Sequence, residues 1–184
     1  MEIVKLKGKT IGKAAEAILK GQIVVFPTDT IYGLLCDVGN RKAMSKLFKI
    51  KGRAKNKQVP VFVKDIKMAK RFCYIDKKQE EFLKKVWPGK VTVVLKSKEG
   101  GTLGLRIPRG DFIRKLMSAV NRPISGTSAN ISGKPGSGRI TEIIKQFKGR
   151  KCQPDLIVDA GNLKKSRPST IVDLTAIPPK ILRP

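Results

Sequence analysis

Hydroxyl and carboxyl side chains crowd together just after the apolar segment 22–26. That segment is short and β-branched, which predicts a buried strand, and Pro27 ends it because proline has no N–H to pair with a neighbouring strand. The polar residues that follow are Thr28, Asp29, Thr30 and Tyr32. Open α/β sheets bind ligands in loops that leave strand ends. The stretch is therefore either a ligand-binding loop or a turn whose side chains bond only to nearby backbone.

Three further polar segments flank predicted strands. Lys51 and Arg53 lie two residues apart at a predicted helix exit, and this pair suits a polyphosphate, with Arg as a fork and Lys as a point charge. Residues 125–133 combine four hydroxyls, an amide and two glycines. Such small residues let backbone N–H groups approach the phosphates of a ligand. The segment does not have the Walker A pattern. Residues 166–170 precede a strand, and Arg106 ends one. Each feature also has a purely structural interpretation. Lys51 and Arg53 could form a basic surface turn, and residues 125–133 a serine-rich turn. Residues 166–170 could be only a strand entry, and Arg106 could belong to a structural ion pair.

The chain contains no histidine, which excludes Ser-His-Asp and Cys-His catalysis and disfavours a zinc enzyme. The polar segments also lack a general base of the usual kind. Binding, positioning and charge stabilisation would have to carry the reaction, as in phosphoryl or nucleotidyl transfer. The three cysteines (Cys36, Cys73 and Cys152) suit neither a metal site nor a disulfide framework. We expect reduced thiols and a cytoplasmic protein.

The net charge of the 184-residue chain is +26, and polyanions are its expected partners. Residues 41–64 hold nine basic residues and no acidic one. Nucleic-acid contact and a solvated helix face both explain this run, and an aromatic content of 5% argues against a base-stacking platform. The N-terminus has no signal-peptide pattern, and no apolar run is long enough to span a membrane. We expect one domain, residues 1–184.

Strands and helices alternate irregularly along the chain. We predict strands at 2–6, 23–26, 59–63, 91–95, 103–107, 123–125, 156–159, 170–174 and 180–183. Predicted helices follow caps at Thr10, Asn40, Asp65 and Asp76, and two more cover 111–120 and 140–148. This order indicates an α/β domain with a mixed sheet and flanking helices.

Taken together, the segments resemble the YrdC/TsaC family, the threonylcarbamoyl-adenylate synthases. The matching stretches occur in the family's order: Phe26-Pro-Thr-Asp-Thr-Ile-Tyr-Gly-Leu34, Lys51-Gly-Arg53, Trp87-Pro-Gly89 with Val91-Thr92, Leu105-Arg-Ile-Pro108, Thr127-Ser-Ala-Asn-Ile-Ser-Gly133, Ser169-Thr-Ile-Val-Asp173 and Ile181-Leu-Arg-Pro184. The resemblance implies a twisted, mixed α/β sheet around a basic concave cavity. Because the chain ends at Pro184, it is similar to the short, single-domain branch.

The resemblance also implies an activity: L-threonine, bicarbonate and ATP yield L-threonylcarbamoyl-AMP and pyrophosphate, with Mg²⁺ expected to help. The product would serve t6A modification of tRNA through a downstream transferase complex. The implied threonine site is Thr30, Tyr32, Arg106, the Gly126 backbone and Ser169. The implied catalytic residues are Lys51 and Arg53, and the implied ATP site is Arg53, Lys57, Thr102, Ser128, Asn130, Gly136 and Arg183.

The chain departs from the family pattern at three places. Lys57 stands where many members have Asn, and Phe62 where many have His. In the loop after Gly133, either Gly136 or Ser137 takes the place of a nucleotide-contacting serine. Two other functions stay open at this point: an RNA-binding module that uses the same fold without synthase activity, and a relative of the carbamoyl-transfer domain of hydrogenase maturation proteins.

Overall fold

The computed structural model of the protein describes residues 1–54 and 58–184. The helices are α1 (Gly8–Leu19), α2 (Arg41–Lys51), α3 (Ile66–Phe72), α4 (Lys77–Val86), α5 (Asp111–Val120) and α6 (Ile140–Phe147). The strands are β1 (Glu2–Lys5), β2 (Val24–Pro27), β3 (Tyr32–Leu35), β4 (Val61–Phe62), β5 (Val91–Lys96), β6 (Thr102–Arg106), β7 (Ile124–Ser125), β8 (Thr127–Ser128), β9 (Leu156–Asp159), β10 (Thr170–Asp173) and β11 (Lys180–Arg183). None of the helices in this described part is long and apolar enough to cross a membrane.

The strands form two mixed sheets. The first has the order β1-β9-β2-β3-β8, and the second β11-β10-β5-β6-β4-β7. Both contain parallel and antiparallel pairs, such as β2 with β9 and β2 with β3 in the first. The mixed α/β fold class is confirmed. The predicted sheet takes the form of two sheets, and the chain crosses from the second to the first at Gly126, which lies between β7 and β8.

Alternating side chains of β2 explain why helices cover both faces of the first sheet. Val24 and Phe26 pack with α1 and α5 on one face, whereas Val25 and Ile23, which directly precedes β2, pack with α2 and α6 on the other. Helices α3 and α4 supply Met68, Leu83 and other apolar residues to a third cluster on the second sheet. The central strands of the first sheet are thus buried between helices on both faces.

The predicted helix starts are confirmed at three of four positions. The side chains of Asn40, Asp65 and Asp76 each accept a hydrogen bond from the backbone three residues on. Thr10 was a wrong prediction for the first cap, since α1 begins at Gly8. Its hydroxyl lies inside the first turn, where it accepts a bond from the Lys7 N–H and donates to the Lys5 carbonyl.

Strand β3 was not predicted, because its four residues directly follow a polar loop and form too short an apolar segment to show an alternating pattern. Residues 32–35 pair antiparallel with β2 and are completely buried. The loop that leaves β2 is therefore only four residues long, from Thr28 to Ile31. Because this connection joins two paired strands and is short, it fixes the positions of Thr28 and Thr30 next to the first sheet.

Candidate active site

A cavity of about 410 Å³, here called the main cavity, lies beside the crossing at Gly126. Nine of the predicted site residues line it: Thr30, Tyr32, Arg53, Arg106, Gly126, Ser128, Gly136, Ser169 and Arg183. The structure therefore brings together loops that lie far apart in sequence. Lys57 lies outside the described residues.

A second cavity of about 400 Å³, the side cavity, adjoins the first. It is lined by residues 51–54 at the end of α2 and by the segment 127–133, including the predicted residues Lys51 and Asn130. Arg53, Thr127 and Ser128 line both cavities. One guanidinium-bearing residue and two hydroxyl-bearing residues thus lie where the two cavities meet.

Arg106 is buried at the end of β6 and paired with Asp29. Its Nη2 donates to both carboxylate oxygens of Asp29 at 2.6 Å, and its Nε donates to the Gly89 carbonyl at 2.7 Å. The exposed fractions of the two side chains are 3% and 8%. Burial lowers the pKa of Arg106, and the adjacent carboxylate opposes that shift. The structural ion pair raised as an alternative is therefore present, and Asp29 holds the guanidinium in a fixed orientation.

Hydroxyl groups line the wall near Arg106. Thr28 and Thr30 lie with their Oγ1 atoms 3.1 Å apart, and the Thr28 hydroxyl also donates to the Ile31 carbonyl. Just before β10, the Ser169 Oγ lies 2.9 Å from the Thr92 Oγ1 of β5. Arg183 donates to the Ser169 carbonyl at 2.6 Å. These bonds fix the hydroxyls before any ligand arrives.

The hydroxyl of Tyr32 is bonded to the backbone of the loop after β9. Tyr32 lines the main cavity, but its hydroxyl donates to the Gly161 carbonyl at 2.7 Å and accepts from the Ala160 N–H at 2.9 Å. Burial raises its pKa to about 12. The phenol therefore links β3 to the loop after β9. The contact of Tyr32 with a threonine substrate stays a prediction.

Lys51 is buried at the end of α2 and holds the segment 128–130. Its Nζ donates to the Ser128 carbonyl at 2.7 Å and to the carbonyl and side-chain oxygens of Asn130 at 3.0 Å. The Ser128 hydroxyl donates to the same side-chain oxygen at 2.5 Å. Burial and, to a lesser extent, the charge of Arg53 lower the pKa of Lys51 to about 8. Three oxygens match the three hydrogens of an ammonium, so Lys51 shapes the loop.

Arg53 lies just beyond Gly52, whose left-handed conformation (φ 59°) ends α2. One Arg53 nitrogen donates to the Gln58 carbonyl at 3.0 Å. The side chain of Gln58 in turn donates to the Thr102 carbonyl at 2.7 Å. Thr102 is the one described site candidate that lines neither cavity, and it bonds to Gln58, which lines the main cavity.

Two glycines leave no room for a side chain. A Cβ on Gly126 would lie 2.5 Å from the ring of Phe62, which is itself only 4% exposed. A Cβ on Gly136 would lie 2.6 Å from the end of the Ile31 side chain. The Gly126 N–H donates to the Pro60 carbonyl at 2.6 Å, so the carbonyl is the backbone group of Gly126 that remains for a ligand.

Cations dominate the described walls. Arg53, Arg106 and Arg183 line the main cavity, whose described lining holds no carboxylate, and Asp29 pairs with Arg106 behind it. Every buried side-chain nitrogen or oxygen in the described part of the chain has a hydrogen-bond partner. The described residues also hold no group of three His, Cys, Asp or Glu suited to a metal ion. The arrangement fits an anionic ligand bound by a prearranged set of donors.

Comparison with known proteins agrees with this geometry. The family model for Sua5, YciO and YrdC, described as telomere recombination, matches residues 16–184. The chain belongs to the Sua5/YciO/YrdC family. A putative threonylcarbamoyl-AMP synthase of Methanocaldococcus jannaschii is 35% identical over 164 residues, which cover 85% of this chain and 76% of the relative. The family resemblance inferred from the sequence motifs is confirmed.

Solved structures of Sua5/YciO/YrdC proteins share the fold. The crystal structure of Pyrococcus abyssi Sua5 complexed with L-threonine has a TM-score of 0.90 and 31% identity, and it covers 100% of this chain but 56% of that one. The Pyrococcus abyssi threonylcarbamoyl-AMP synthase is 33% identical over 93% of this chain, which spans about half (52%) of the relative. Escherichia coli YciO has a TM-score of 0.85 and 26% identity, with 99% and 93% of the two chains covered.

Sequence reasoning missed some residues that the fold brings to the site. Asp29 was noticed as part of a polar loop, but its pairing with Arg106 joins positions 77 residues apart. Gln58 and Thr28 also line the main cavity; Thr28 belongs to the predicted polar loop but not to the residues assigned to a substrate, and Gln58 belongs to neither. For Thr28, its place directly after a buried strand was a usable signal. Gln58 offered none, since a single amide in a basic segment has no distinctive pattern.

Proposed function

We propose that this chain is an L-threonylcarbamoyladenylate synthase, which forms threonylcarbamoyl-AMP and pyrophosphate from L-threonine, bicarbonate and ATP. The observation that carries the proposal is the meeting of two cavities at Arg53 and Ser128. One cavity is lined by hydroxyls and a buried arginine, and the other by the segment that follows a helix end. Relatives named threonylcarbamoyl-AMP synthase, and a family structure with L-threonine, support the choice of substrate.

The threonine end of the proposed site is built around Arg106. With Nε and Nη2 bonded to Gly89 and Asp29, Nη1 is the nitrogen left to donate to the carboxylate of threonine. Thr30 and Ser169 offer hydroxyls to its amine and side-chain hydroxyl, and the Gly126 carbonyl accepts from the amine. Phe62 closes the wall behind Gly126 with an apolar ring.

The phosphate end is built around Arg53. Arg53 neutralises charge on the triphosphate, while Lys51 fixes the segment that carries Ser128 and Asn130. Gly136 and Arg183 border the nucleotide from the other side. Mg²⁺ would be held through the phosphates of ATP and would offset their charge, since substrate phosphates supply most protein-bound Mg²⁺ contacts of this kind and the described lining of the main cavity holds no carboxylate. Lys57 and Thr102 are proposed as outer contacts of the nucleotide.

The reaction follows from this placement. The amine of threonine adds to CO₂ derived from bicarbonate and loses a proton, which gives a carbamate. A carbamate oxygen then forms a bond to the α-phosphorus of ATP while the bond to the bridging oxygen of the β-phosphate breaks, and pyrophosphate leaves. The work of the protein is to align the two reactants and to offset charge on the phosphates. Arg53 lies between the two cavities and meets that charge.

Pyrophosphate release tests the proposal. The protein is incubated with ATP, Mg²⁺ and bicarbonate, with L-threonine, D-threonine or no amino acid, and pyrophosphate is followed with time. We expect release only with L-threonine and only when bicarbonate is present. Arg53→Ala is expected to lose activity, whereas Arg71→Ala, which changes an exposed arginine on α3, is expected to keep it. Pyrophosphate release that ignores threonine would contradict the proposal.

The relatives do not support the alternative of an RNA-binding module without synthase activity, because several of them are named as synthases. A single YrdC-like domain over residues 1–184, a cytoplasmic location, transfer of the product to a t6A transferase complex and use for tRNA modification are parts of the proposal. The pyrophosphate assay is the first test of the two roles in tRNA modification, because both depend on formation of the product.

A further inference from the structure

The threonine hydroxyls in the wall near Arg106 are already paired with each other. The Thr28 hydroxyl donates its only proton to the Ile31 carbonyl at 2.6 Å. The Thr30 hydroxyl, whose Oγ1 lies 3.1 Å from that of Thr28, is therefore the donor of the bond between the two. Thr30 has only lone pairs left, so it accepts a hydrogen bond from a ligand in this arrangement and does not donate one.

The hydroxyl of Ser169 has one bond left for a ligand. Arg183 donates to the Ser169 Oγ at 3.2 Å, and the Thr92 Oγ1 lies 2.9 Å from the same atom. A hydroxyl has one proton and two lone pairs, so two of its three bonds are used by these neighbours. The side-chain hydroxyl of a bound amino acid therefore finds at most one partner at Ser169.

Phe62 gives the same wall an apolar surface. Its ring centroid lies 5.7 Å from the Arg106 Cζ, and a Cβ on Gly126 would lie 2.5 Å from the ring. The ring therefore lies against both groups that the proposed function assigns to the carboxylate and the amine of the amino acid, and it lines the main cavity beside them. A histidine, which many family members have at this position, offers a ring nitrogen for a hydrogen bond, whereas phenylalanine offers none.

We propose that this chain also accepts L-valine and forms valylcarbamoyl-AMP, because its pocket recognises a β-branched side chain more by shape than by its hydroxyl. This inference rests on the proposed function. L-valine has the shape of L-threonine, with a methyl group in place of the hydroxyl, and the same carboxylate and amine. The valine amine adds to CO₂ and loses a proton, a carbamate oxygen bonds to the α-phosphorus of ATP, and the bond to the β-phosphate breaks as pyrophosphate leaves.

Two contacts give the expected order of amino acids. Valine loses the one hydrogen bond with Ser169, which keeps its bonds to Thr92 and Arg183, so no buried polar group is left unpaired. The kcat/KM for valine is therefore expected to lie within about tenfold of that for threonine. Serine keeps the hydroxyl but lacks the methyl group that meets Phe62, and such a loss in an apolar pocket costs about 10–200-fold. The expected order is threonine, then valine, then serine.

The wild-type protein tests this order without any substitution. It is incubated with ATP, Mg²⁺, bicarbonate and one of L-threonine, L-valine or L-serine. The rate of pyrophosphate release at several amino-acid concentrations gives kcat/KM, and mass spectrometry shows which amino acid the product contains. We expect valylcarbamoyl-AMP, with the kcat/KM for valine between those for threonine and serine. A kcat/KM for valine below that for serine would overturn the proposal.

Substitutions of Phe62 assign the preference to its ring. Phe62→His adds a ring nitrogen for the side-chain hydroxyl and is expected to raise the threonine-to-valine ratio of kcat/KM about three- to tenfold. Phe112→His is the matched control and keeps the wild-type ratio, because Phe112 is 47% exposed and does not line the main cavity. An unchanged ratio in Phe62→His would overturn the proposal. If Phe62→His does not fold, Phe62→Leu replaces it, and this apolar variant must still prefer valine to serine.

A binding measurement separates this proposal from the proposed function. The rise in melting temperature on adding each amino acid reports binding and needs no turnover. If threonine is turned over but valine ranks below serine, the valine proposal fails alone. If no amino acid gives pyrophosphate, the synthase proposal fails. The proposed preference of the pocket then stands if valine raises the melting temperature more than serine does, and falls if it does not.

Discussion

Asp29→Asn removes the counter-charge of a guanidinium that has almost no contact with water. Nη2 of Arg106 donates to both oxygens of Asp29 at 2.6 Å, and the exposed fractions of the two side chains are 3% and 8%. Removing one partner of a buried ion pair costs about 3–5 kcal/mol, because the other charge stays buried and uncompensated. An asparagine at this position keeps the shape and one acceptor but loses the charge.

Thermal unfolding measures this effect. For a chain of this size, each kcal/mol lowers the melting temperature by about 2–4 °C, so Asp29→Asn is expected to lower it by roughly 6–20 °C. Glu142→Gln is the matched control, because it breaks an ion pair whose carboxylate is 51% exposed, and it should cost less than about 1 kcal/mol.

A second variant separates charge from shape. Asp29→Asn combined with Arg106→Met removes both charges and is expected to be more stable than Asp29→Asn alone, because no uncompensated guanidinium remains. The melting temperature of the double variant should therefore lie between those of the single variant and the wild type. A single variant that loses less than about 1 kcal/mol, or a double variant no more stable than the single one, would refute this reasoning.

Three further predictions follow from other contacts of the site. Tyr32→Phe is expected to lose about 1–3 kcal/mol of unfolding free energy, measured by urea titration, with little change in the KM for threonine, because its hydroxyl bonds to the loop after β9. Gly126→Ala is expected to raise that KM and lower the melting temperature, with partial recovery on adding Phe62→Leu, since the new methyl would meet the buried ring. Pyrophosphate release is expected to decline above pH 8 as Lys51, with its pKa of about 8, loses the proton that lets it donate to three oxygens; a rate that is level through pH 9 would contradict this.

The sequence predicted what local patterns encode. The side chains of Asn40, Asp65 and Asp76 cap helices as expected, because a cap needs only a polar side chain and the backbone a few residues on. The left-handed backbone conformation of Gly52, which ends α2 just before Arg53, follows from the same kind of local rule. The beginnings and ends of these helices could therefore be predicted without knowledge of distant contacts.

Contacts between distant segments were beyond prediction from the residues alone. The sequence offered both a ligand contact and an ion pair for Arg106, and only the fold shows Asp29 beside it. Lys51 was expected to face phosphates, but three oxygens of the segment 128–130 surround its ammonium. The direction of the Tyr32 hydroxyl depends on the loop after β9, more than a hundred residues later in the chain.

The mass of the product formed from ¹³C-bicarbonate tests the central claim most directly. The protein is incubated with ATP, L-threonine, Mg²⁺ and labelled bicarbonate, and the products are analysed by mass spectrometry. We predict threonylcarbamoyl-AMP that carries one ¹³C atom, formed by the wild type and by Arg71→Ala but not by Arg53→Ala. An adenylated product without the label, or the same labelled product from Arg53→Ala at the wild-type rate, would contradict the account.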